Sequence, residues 1–381
     1  MNHKKQILEG SRAIALTVKN IKPAVISAYP ITPQTHIVED LAKFKADGQA
    51  NYEYVRAESE FAAASIVLGA SATGVRVYSA TCSQGLLLMT EVIFNIAGLR
   101  LPVVMTCANR AVSAPINIWC DHSDAMTVRD AGWLQFFAEN HQEAVDQHVL
   151  AYKIAEQLNL PALVNIDGFI LSHSYEPVII PEIKLIKKYL PNYQPKSGTY
   201  LDPQNPVTLG AFCTPSHYQE TRQQLQEDLL DSLAIIKKEY KLFNKIFKRN
   251  THDNGLIEYC GPRKPETILV AMGSMAGTIK EVIDENKNVG LLKIKVYRPF
   301  PGEEINKILK QTKNIAVVEK AISLGQAGPL YLDIKASLSK FLNVKNYIVG
   351  LGGRDVTKKI ITSIIKDAKS SQQKIKFLGN I

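Results

Sequence analysis

A threonine held between two prolines is the first residue in this chain whose position suggests chemistry. Pro30, Ile31, Thr32 and Pro33 follow the apolar run 23–27, which is typical of a buried strand. Proline fixes its own φ angle and disfavours helical backbone in the residue before it, so the chain must turn here. Because open α/β sheets bind ligands at the carboxyl ends of their strands, the pattern predicts that Thr32 lies at a ligand site.

Glu58, Ser59 and Glu60 precede a helix that begins with Phe61 and three alanines. One interpretation is structural, because the helix dipole favours an acidic residue in the first turn and Ser59 suits the N-cap. The other is functional, since a carboxyl group among apolar residues has a raised pKa and can share a proton. The alanines would also let a flat ligand or another subunit approach closely. The residues alone leave both interpretations open.

Two more strand ends carry polar side chains. Ser83 and Gln84 stand where a helix follows the strand 75–81, and amides and hydroxyls at such a junction can hold an anion or a polar ring edge. The alternative is a capped helix with Ser83 as the cap. Neither G-x-G-x-x-G nor a Walker lysine is present. Arg110 follows the strand 101–108, where it can clamp a carboxylate or form an ordinary surface ion pair.

Cys120 to Asp124 combine residue types that bind metals, but without the spacing of a zinc site. They precede a predicted helix, so capping by Asp121 or Ser123 explains them better. Cys82 has no base at a recognisable spacing. We therefore expect it to be a buried small residue and not a nucleophile.

The elements that must position these residues alternate between short apolar runs and helical patterns. The predicted strands are 23–29, 51–56, 75–81, 101–108 and 162–167. The predicted helices are 9–20, 35–46, 60–72, 84–98, 124–136 and 142–158. Such alternation predicts a doubly wound α/β domain, in which helices cover both faces of a parallel sheet.

The remaining chain divides into two further parts. Prolines interrupt the pattern repeatedly between 177 and 215, and a charged helix at about 217–248 follows. A second α/β unit then has strands at 267–274, 289–296 and 315–318, a helix at 277–286, a helix opening after 324 and a glycine-rich turn at 349–355. We expect a first domain at 1–170, an irregular linker or excursion at 171–255 and a smaller α/β domain at 256–381.

Composition narrows the partners of this 381-residue chain, of which 46% is apolar. The net charge of +9 comes largely from lysines in the second half, which lack interleaved aromatic residues at the spacing needed to stack on bases. We therefore expect a solvated face or an acidic protein partner, and no nucleic acid. The longest apolar region, 85–105, contains Glu91, Asn95 and Arg100, and no secretory signal is visible, so we expect no membrane association.

The five cysteines are scattered singly, with no Cys-x-x-Cys pair. This spacing argues against a disulfide framework and against an iron–sulfur or zinc site built by this chain alone. A reducing cytoplasm is the expected location.

Several motifs in order resemble the α subunits of 2-oxoacid:ferredoxin oxidoreductases, with the pyruvate enzymes as the closest match. They are YPITPQT at 29–35, AESEFAA at 57–63, SQGLLLM at 83–89, ANRA at 108–111 and DGF at 167–169. The resemblance extends to DPQNPVT at 202–208, VAMGS at 270–274, RPFP at 298–301 and GLGGRD at 350–355. It therefore spans nearly the whole chain.

The resemblance implies a thiamine diphosphate enzyme. The first domain would be of the pyrimidine-binding type, and the second would resemble the carboxy-terminal domain of transketolase. Glu60 would hydrogen-bond the pyrimidine ring nitrogen, with Glu58 as the alternative if the register is shifted by two. Thr32 and Arg110 would hold the keto and carboxylate oxygens of the substrate. Further contacts to the cofactor would come from Pro30, Ile31, Ser83 and Gln84.

The resemblance also implies partners. In this family the β subunit supplies the Mg²⁺ and diphosphate site, and [4Fe-4S] clusters on partner subunits pass electrons to ferredoxin. This chain has no Gly-Asp-Gly motif followed by Asn at that spacing and no cluster cysteines. We therefore expect it to be inactive without its β, γ and δ subunits, and to hold no metal itself.

The expected reaction is the reversible conversion of pyruvate and coenzyme A to acetyl-CoA and CO₂. A branched-chain 2-oxoacid, 2-oxoglutarate or oxalate remains an alternative substrate, and residues 117–124 after Arg110 are expected to shape that choice. A non-catalytic assembly subunit is an alternative of another class. A transketolase-type enzyme without redox function is a remote third.

Overall fold

The protein is described here by a computed structural model that covers residues 5–339, 342–370 and 375–379. Strands of the first part are β1 (Gln6–Glu9), β2 (Val25–Ala28), β3 (Glu53–Arg56), β4 (Val77–Thr81), β5 (Val104–Asn109), β6 (Leu134–Phe137), β7 (Ala162–Asp167) and β8 (Tyr175–Val178). Its helices are α1 (Gly10–Ile21), α2 (Thr35–Ala46), α3 (Glu60–Ala72), α4 (Ser83–Leu88), α5 (Thr90–Gly98), α6 (Ser123–Thr127), α7 (His141–Leu158) and α8 (Ile183–Tyr189).

A long helix, α9 (Pro215–Phe247), leads to the second part. Strands there are β9 (Ile257–Cys260), β10 (Thr267–Ala271), β11 (Val289–Ile294), β12 (Val296–Arg298), β13 (Asn314–Glu319), β14 (Asn343–Ile348) and β15 (Ile375–Phe377). The helices are α10 (Met275–Asp284), α11 (Gly302–Leu309), α12 (Pro329–Ser337) and α13 (Lys358–Ala368), with a 3₁₀ turn at Leu351–Gly353.

The first sheet has the strand order β12-β6-β7-β5-β4-β2-β3 and is parallel except for β12. Successive residues of a strand point to opposite faces. Tyr78 accordingly packs with Ile14 of α1 on one face, and Val77 packs with Val67 of α3 on the other. The prediction of a doubly wound parallel sheet is confirmed.

The second sheet has the order β15-β14-β13-β10-β11-β9, with β9 antiparallel to β11. Helices α10 and α13 cover one face, where Ile279 and Ile361 meet Leu269 of β10. The smaller α/β domain is therefore also confirmed. Strand β12 pairs with β6, so residues of the second part complete the edge of the first sheet.

The predicted helix 124–136 is wrong. Only Ser123–Thr127 is helical, and Leu134–Phe137 forms β6. Gly132 has a φ of +87°, which a helix does not use, and it separates the two elements. The four residues of β6 are all buried, because the strand lies between β7 and β12. Gln135 interrupts the apolar residues of this segment, and so short and mostly apolar a run cannot be told from a buried helix by periodicity.

Other differences are smaller. The predicted helix 84–98 is two helices, α4 and α5, which meet at Met89. The antiparallel pair of β1 and β8 was not predicted from the sequence. The predicted charged helix near 217–248 corresponds to α9, whose first residue is Pro215 at a position that proline favours. No described helix is long and apolar enough to span a membrane. The domain boundaries 1–170, 171–255 and 256–381 stay a prediction.

Candidate active site

The carboxyl ends of four adjacent strands lie on the same side of the first sheet, and we refer to this side as the strand edge. In the order β5-β4-β2-β3 they are parallel, and the segments that leave them carry Arg110, Ser83, Thr32 and Glu60 respectively. The fold therefore brings together residues that are up to 78 positions apart in sequence. This edge is where open α/β sheets bind ligands.

The backbone at Thr32 is fixed by its neighbours, while its side chain is exposed. Its carbonyl oxygen accepts a hydrogen bond from Nη1 of Arg110 at 3.0 Å and one from the thiol of Cys82 at 3.2 Å. Cys82 is fully buried, and burial raises the pKa of its thiol well above the ordinary range. The expectation that Cys82 is a buried small residue is confirmed.

Gln34 was not selected from the sequence, although it shapes the Thr32 loop. Its buried side-chain amide donates to the carbonyl of Ala80 at 2.6 Å, and its Oε1 accepts the Ile31 N–H at 3.3 Å. The loop is thereby tied to the end of β4. Pro30 is exposed and Ile31 is half-buried beside it, so both offer surface to a ligand.

Glu60 is the first residue of α3, and the Ser59 hydroxyl oxygen caps the helix by accepting the Ala62 N–H at 3.1 Å. The side chain is only 7% exposed, whereas Glu58 is exposed. In the part of the chain that the structure describes, no group forms a hydrogen bond or ion pair with the Glu60 carboxylate. It is a nearly buried carboxylate with open acceptor positions.

Gly85 of α4 lies directly against Glu60. A Cβ atom at this position would stand 2.7 Å from Oε1 of Glu60 and 2.5 Å from Oγ1 of Thr81. Only glycine fits without displacing the carboxylate. The Thr81 hydroxyl is itself buried and has no hydrogen-bond partner among the described residues. Two polar side chains without partners among the described residues therefore both lie against Gly85.

Ser83 has an unusual backbone. Its φ is +47°, which is uncommon for a residue other than glycine and is concentrated at functional sites. Its N–H donates to Oδ2 of Asp124 at 2.9 Å, and its hydroxyl donates to the carbonyl of Ala111 at 2.6 Å. The interpretation of Ser83 as the helix cap is wrong, because Cys82 takes the N-cap position and the Ser83 hydroxyl bonds elsewhere. Gln84 is half-buried next to it.

Asp124 connects two of the strand ends and was also missed from the sequence. Besides Ser83, its fully buried carboxylate accepts the Arg110 N–H at 2.9 Å and the side-chain amide of Asn109 at 3.0 Å. Burial raises the pKa of Asp124, although these hydrogen bonds act in the opposite direction. No sequence signal indicated this role, since Asp124 stood in a run that suggested capping. In that run the predicted capping by Asp121 or Ser123 is wrong, because His122 takes the N-cap position of α6 without a side-chain cap. Asp121 instead accepts the Ser123 N–H at 2.9 Å from the position before the cap.

Arg110 is 7% exposed, and no carboxylate of the described residues pairs with it. The surface ion-pair interpretation is therefore wrong. Its Nε donates to the carbonyl of Asn117 at 3.1 Å, and its Nη1 donates to Thr32. These two bonds leave Nη2 available for an anionic ligand.

The loop that follows Arg110 is held by the second domain. The Asn117 side chain donates to the carbonyl of Gly352 at 3.1 Å, and the Gly353 N–H donates to the carbonyl of Cys120 at 2.7 Å. Gly353 has a φ of +82°, and a Cβ there would lie 2.3 Å from Cβ of Trp119. The glycine-rich turn is required because the two loops touch.

The carboxylate of Asp167, at the end of β7, differs from that of Glu60 because several protein groups bond to it. His122 Nε2 lies 2.8 Å and Lys320 Nζ 2.7 Å from its oxygens, and the Ser274 hydroxyl also donates to it. Burial alone would raise the pKa of Asp167, but Lys320 and His122 lower it far below its usual range. Cys120 adds a third metal-ligand type to this cluster, yet the Lys320 ammonium already neutralises the carboxylate.

A cavity of about 540 Å³ lies away from this edge, between α7, α9 and the second domain. Lys293 and Lys295 line it, but their ammonium groups are already paired. Lys293 contacts Glu139 and Glu258 at 2.5 Å each, and Lys295 contacts Glu143 at 3.0 Å. The lysines that line this cavity are therefore neutralised by glutamates of the same chain, whereas Glu60 and Arg110 at the strand edge have no ionic partner among the described residues.

Comparison with known proteins identifies the family of this chain. Residues 17–241 match the family described as pyruvate flavodoxin/ferredoxin oxidoreductase, thiamine diphosphate-binding, and residues 265–361 match core domain II of pyruvate:ferredoxin oxidoreductase. The chain belongs to this oxidoreductase family. The matched thiamine diphosphate-binding region contains the strand ends with Thr32, Glu60, Ser83 and Arg110.

Individual relatives cover almost the full length. Pyruvate synthase subunit PorA of Methanocaldococcus jannaschii is 47% identical over 374 residues, which are 96% of this chain and 95% of the relative. The corresponding subunit of Methanosarcina barkeri is also 47% identical, over 95% of this chain and 92% of the relative. Ketoisovalerate oxidoreductase subunit VorA of Pyrococcus horikoshii is 40% identical, over 96% and 94%.

A solved structure supports the fold. The 2-oxoglutarate:ferredoxin oxidoreductase of Magnetococcus marinus superposes with a TM-score of 0.73 at 20% identity. The match covers 96% of this chain and 65% of that one, so this chain spans about two thirds of the length of its structural relative. At this identity the likeness establishes the shared architecture and not the substrate.

Proposed function

We propose that this chain is the α subunit of a pyruvate:ferredoxin oxidoreductase, also called pyruvate synthase. The complex would decarboxylate pyruvate oxidatively with coenzyme A, to give acetyl-CoA and CO₂, and would pass the electrons to ferredoxin. The observation that carries this proposal is the 43–47% identity to pyruvate synthase subunits of several organisms over nearly the whole chain.

The residues at the strand edge fit the aminopyrimidine of thiamine diphosphate. Glu60 offers an unpaired carboxylate, the Thr81 hydroxyl has no partner among the described residues, and Gly85 leaves the space that a flat ring needs. When bound, thiamine diphosphate supplies the nucleophilic carbon that attacks the carbonyl of a 2-oxoacid. Glu60 would hold a proton at the ring nitrogen, in a site where few water molecules can compete. Pro30, Ile31, Ser83 and Gln84 would line the cofactor.

Thr32 and Arg110 would bind the substrate. The guanidinium is fixed by Thr32 and Asn117 and has Nη2 to offer to the 2-oxoacid carboxylate. The exposed hydroxyl of Thr32 would donate to the keto oxygen. Because the Arg110 backbone is anchored by Asp124, the clamp is held before the substrate arrives, which lowers the entropy lost on binding.

The remaining parts would come from partners. Mg²⁺ and the diphosphate would be bound by the β subunit, and [4Fe-4S] clusters would lie on partner subunits of the same complex, among the β, γ and δ chains. Ferredoxin, coenzyme A and the 2-oxoacid complete the set, and we place the complex in a reducing cytoplasm. The basic charge of the chain, +9, suits an acidic ferredoxin or subunit.

The substrate assignment can be tested on the complex isolated through this chain. Viologen reduction is followed with coenzyme A and, separately, pyruvate, 2-oxoisovalerate, 2-oxoglutarate and oxalate. We expect pyruvate to have the highest kcat/KM. A higher value for 2-oxoisovalerate would move the assignment to the ketoisovalerate enzymes, to which the chain is 40% identical. No reduction with any acid, in a complex that retains thiamine and clusters, would contradict the oxidoreductase proposal.

A further inference from the structure

A group of metal-binding residue types lies outside the strand-edge site. Glu9, His36 and His173 each place one potential ligand atom within 4.8 Å of the other two. Nδ1 of His36 is 2.6 Å from Oε1 of Glu9, and the two imidazole rings have centroids 4.5 Å apart. We refer to these three residues as the Glu9–His36–His173 cluster.

Three chain segments that are fixed to one another supply the cluster. Glu9 ends β1 and pairs with Tyr175 of β8, just after His173. The backbone continues this contact, because the Ser11 N–H donates to the carbonyl of Ser172 at 3.0 Å. His36 stands in the first turn of α2, which packs against α1. The ligands are therefore brought together by the fold and not by flexible termini.

The surroundings of His173 favour its metal-binding form. Ser172 Oγ lies 2.7 Å from Nδ1 of His173 and also accepts the Phe169 N–H at 2.8 Å. A serine oxygen can accept both protons, and this arrangement leaves Nε2 of the imidazole free to bind a cation.

A simple ion pair between Glu9 and His36 explains one contact of the cluster but not the second imidazole. A cation also meets little repulsion here, because the neighbouring Arg12 guanidinium is paired with Asp40 at 2.5 Å. Two imidazoles and one carboxylate are a ligand set of zinc sites, whereas Ca²⁺ and Mg²⁺ prefer oxygen ligands alone. The side chain of His36 is 47% exposed, so solvent can supply a fourth ligand.

We propose that Glu9, His36 and His173 bind one Zn²⁺ ion, with water in the fourth position. Tetrahedral coordination at about 2.1 Å places ligand atoms about 3.4 Å apart, which modest side-chain rotations achieve from the observed geometry. The ion would join the start of α2, which follows the Thr32 loop, to the segment after Asp167. The Phe169 ring packs against His173 and Trp119, with ring centroids 4.7 and 6.2 Å apart. A bound ion would therefore also support the loop after Arg110.

The test titrates the metal-free, full-length chain with Zn²⁺ by calorimetry. We expect one equivalent to bind, and His36→Gln and His173→Gln to weaken its affinity at least about tenfold. His217→Gln is the matched control, because His217 is exposed at the start of α9, and it should leave the affinity unchanged. Equal affinity in all variants, or no saturable binding to the unmodified chain, would overturn the proposal.

The five free cysteines could bind zinc instead, and a variant could misfold. X-ray absorption at the zinc edge is therefore measured on the unmodified chain with one equivalent of Zn²⁺. It identifies the ligand atoms directly and does not depend on the folding of any variant. We expect only nitrogen and oxygen neighbours, at about 2.0–2.1 Å. A sulfur shell at about 2.3 Å would refute the cluster as the zinc site, whatever the behaviour of the variants.

Discussion

Two buried carboxylates at the same edge of the first sheet have opposite surroundings. Glu60 is 7% exposed and has no hydrogen-bond or ionic partner among the described residues. Asp167 is 1% exposed, and His122, Lys320 and Ser274 all bond to it. Lys320 and Ser274 belong to the second domain, so Asp167 joins the two parts of the chain. A buried polar group is normally satisfied by the protein, so a nearly buried carboxylate without a protein partner is a candidate for contact with a ligand.

The two carboxylates should contribute differently to stability and to activity. The fully paired Asp167 stabilises the contact between domains, because removing either partner would leave an uncompensated buried charge. The open Glu60 adds nothing comparable to stability. We propose that it serves instead to bind the cofactor. Substitutions at the two positions should therefore separate activity from stability.

The largest effect is expected for Glu60→Gln. In the assembled complex, turnover of 2-oxoacid should fall about 100- to 10,000-fold, the range typical of lost acid–base catalysis, while the free energy of unfolding changes by less than about 1 kcal/mol. Viologen reduction and urea unfolding measure the two quantities. Glu58→Gln is the control and should be within about twofold of the unmodified enzyme. Full activity of an assembled Glu60→Gln complex would instead support a non-catalytic assembly role.

Asp167→Asn should have the reverse profile. The substitution preserves shape but leaves the buried Lys320 ammonium without its counter-charge, so the free energy of unfolding should fall by about 3–5 kcal/mol. Urea denaturation measures this loss. Glu281→Gln removes an exposed pair with Lys358 and should leave the free energy of unfolding nearly unchanged. Similar losses for the two variants would show that the Asp167 pair is not special.

Glu319 is a third buried carboxylate, and the groups that donate hydrogen bonds to it are all uncharged. It accepts the N–H groups of Leu330 and Tyr331 and the side-chain amide of Asn346, and burial raises its pKa to about 7. A carboxyl pKa above its unfolded value stabilises the protein below about pH 4.5, and this stabilisation is lost as the pH rises through 7.

The corresponding prediction concerns Glu319→Gln. From pH 5 to pH 8 the stability of the unmodified chain relative to this variant should decrease, by an amount on the order of 2 kcal/mol. Thermal or urea unfolding at both pH values measures it. The same subtraction with Glu281→Gln should show no such trend. A relative stability that rises with pH would mean that Glu319 is ionised in the folded chain with a lowered pKa.

The smallest effect is expected at Gly353, where the second domain touches the loop after Arg110. Gly353→Ala would force a Cβ to within 2.3 Å of Trp119, so we expect KM for the 2-oxoacid to rise about three- to tenfold with less change in kcat. Gly325→Ala is a matched control, because Gly325 has a similar φ of +84° but no atom within 4 Å of the added Cβ. Both should lose about 1–2 kcal/mol from the left-handed backbone. An unchanged KM for Gly353→Ala would show that the turn does not position the substrate loop.

Much of the fold could be predicted from the sequence, because buried parallel strands are continuous apolar runs between helical patterns. The strand ends with Thr32, Ser83 and Arg110 follow from that reading, and the motif around Glu60 came from family resemblance. The roles of these residues stay predictions. Strand β6 was mistaken for helix because a short, mostly apolar run has no period that separates a strand from a buried helix.

Contacts between distant segments could not be predicted. Asn117 meets Gly352 across 235 positions, and Asp167 meets Lys320 across 153. Which residues meet depends on how the two sheets are oriented, and the hydrophobic periodicity of each segment does not predict that orientation. Gln34 and Asp124 were missed for a related reason, since a polar residue that braces a loop from within has the same sequence signal as one that caps a helix.

The measurement that tests the central claim most directly is an experimental structure of the assembled complex with thiamine diphosphate bound. If Glu60 is open because the cofactor completes it, one of its carboxylate oxygens will lie about 2.6–2.9 Å from the pyrimidine ring nitrogen, with Thr81 and Gly85 beside the ring. A ring nitrogen bonded to Glu58, or a Glu60 carboxylate occupied by a protein group of the partner subunit, would contradict the account.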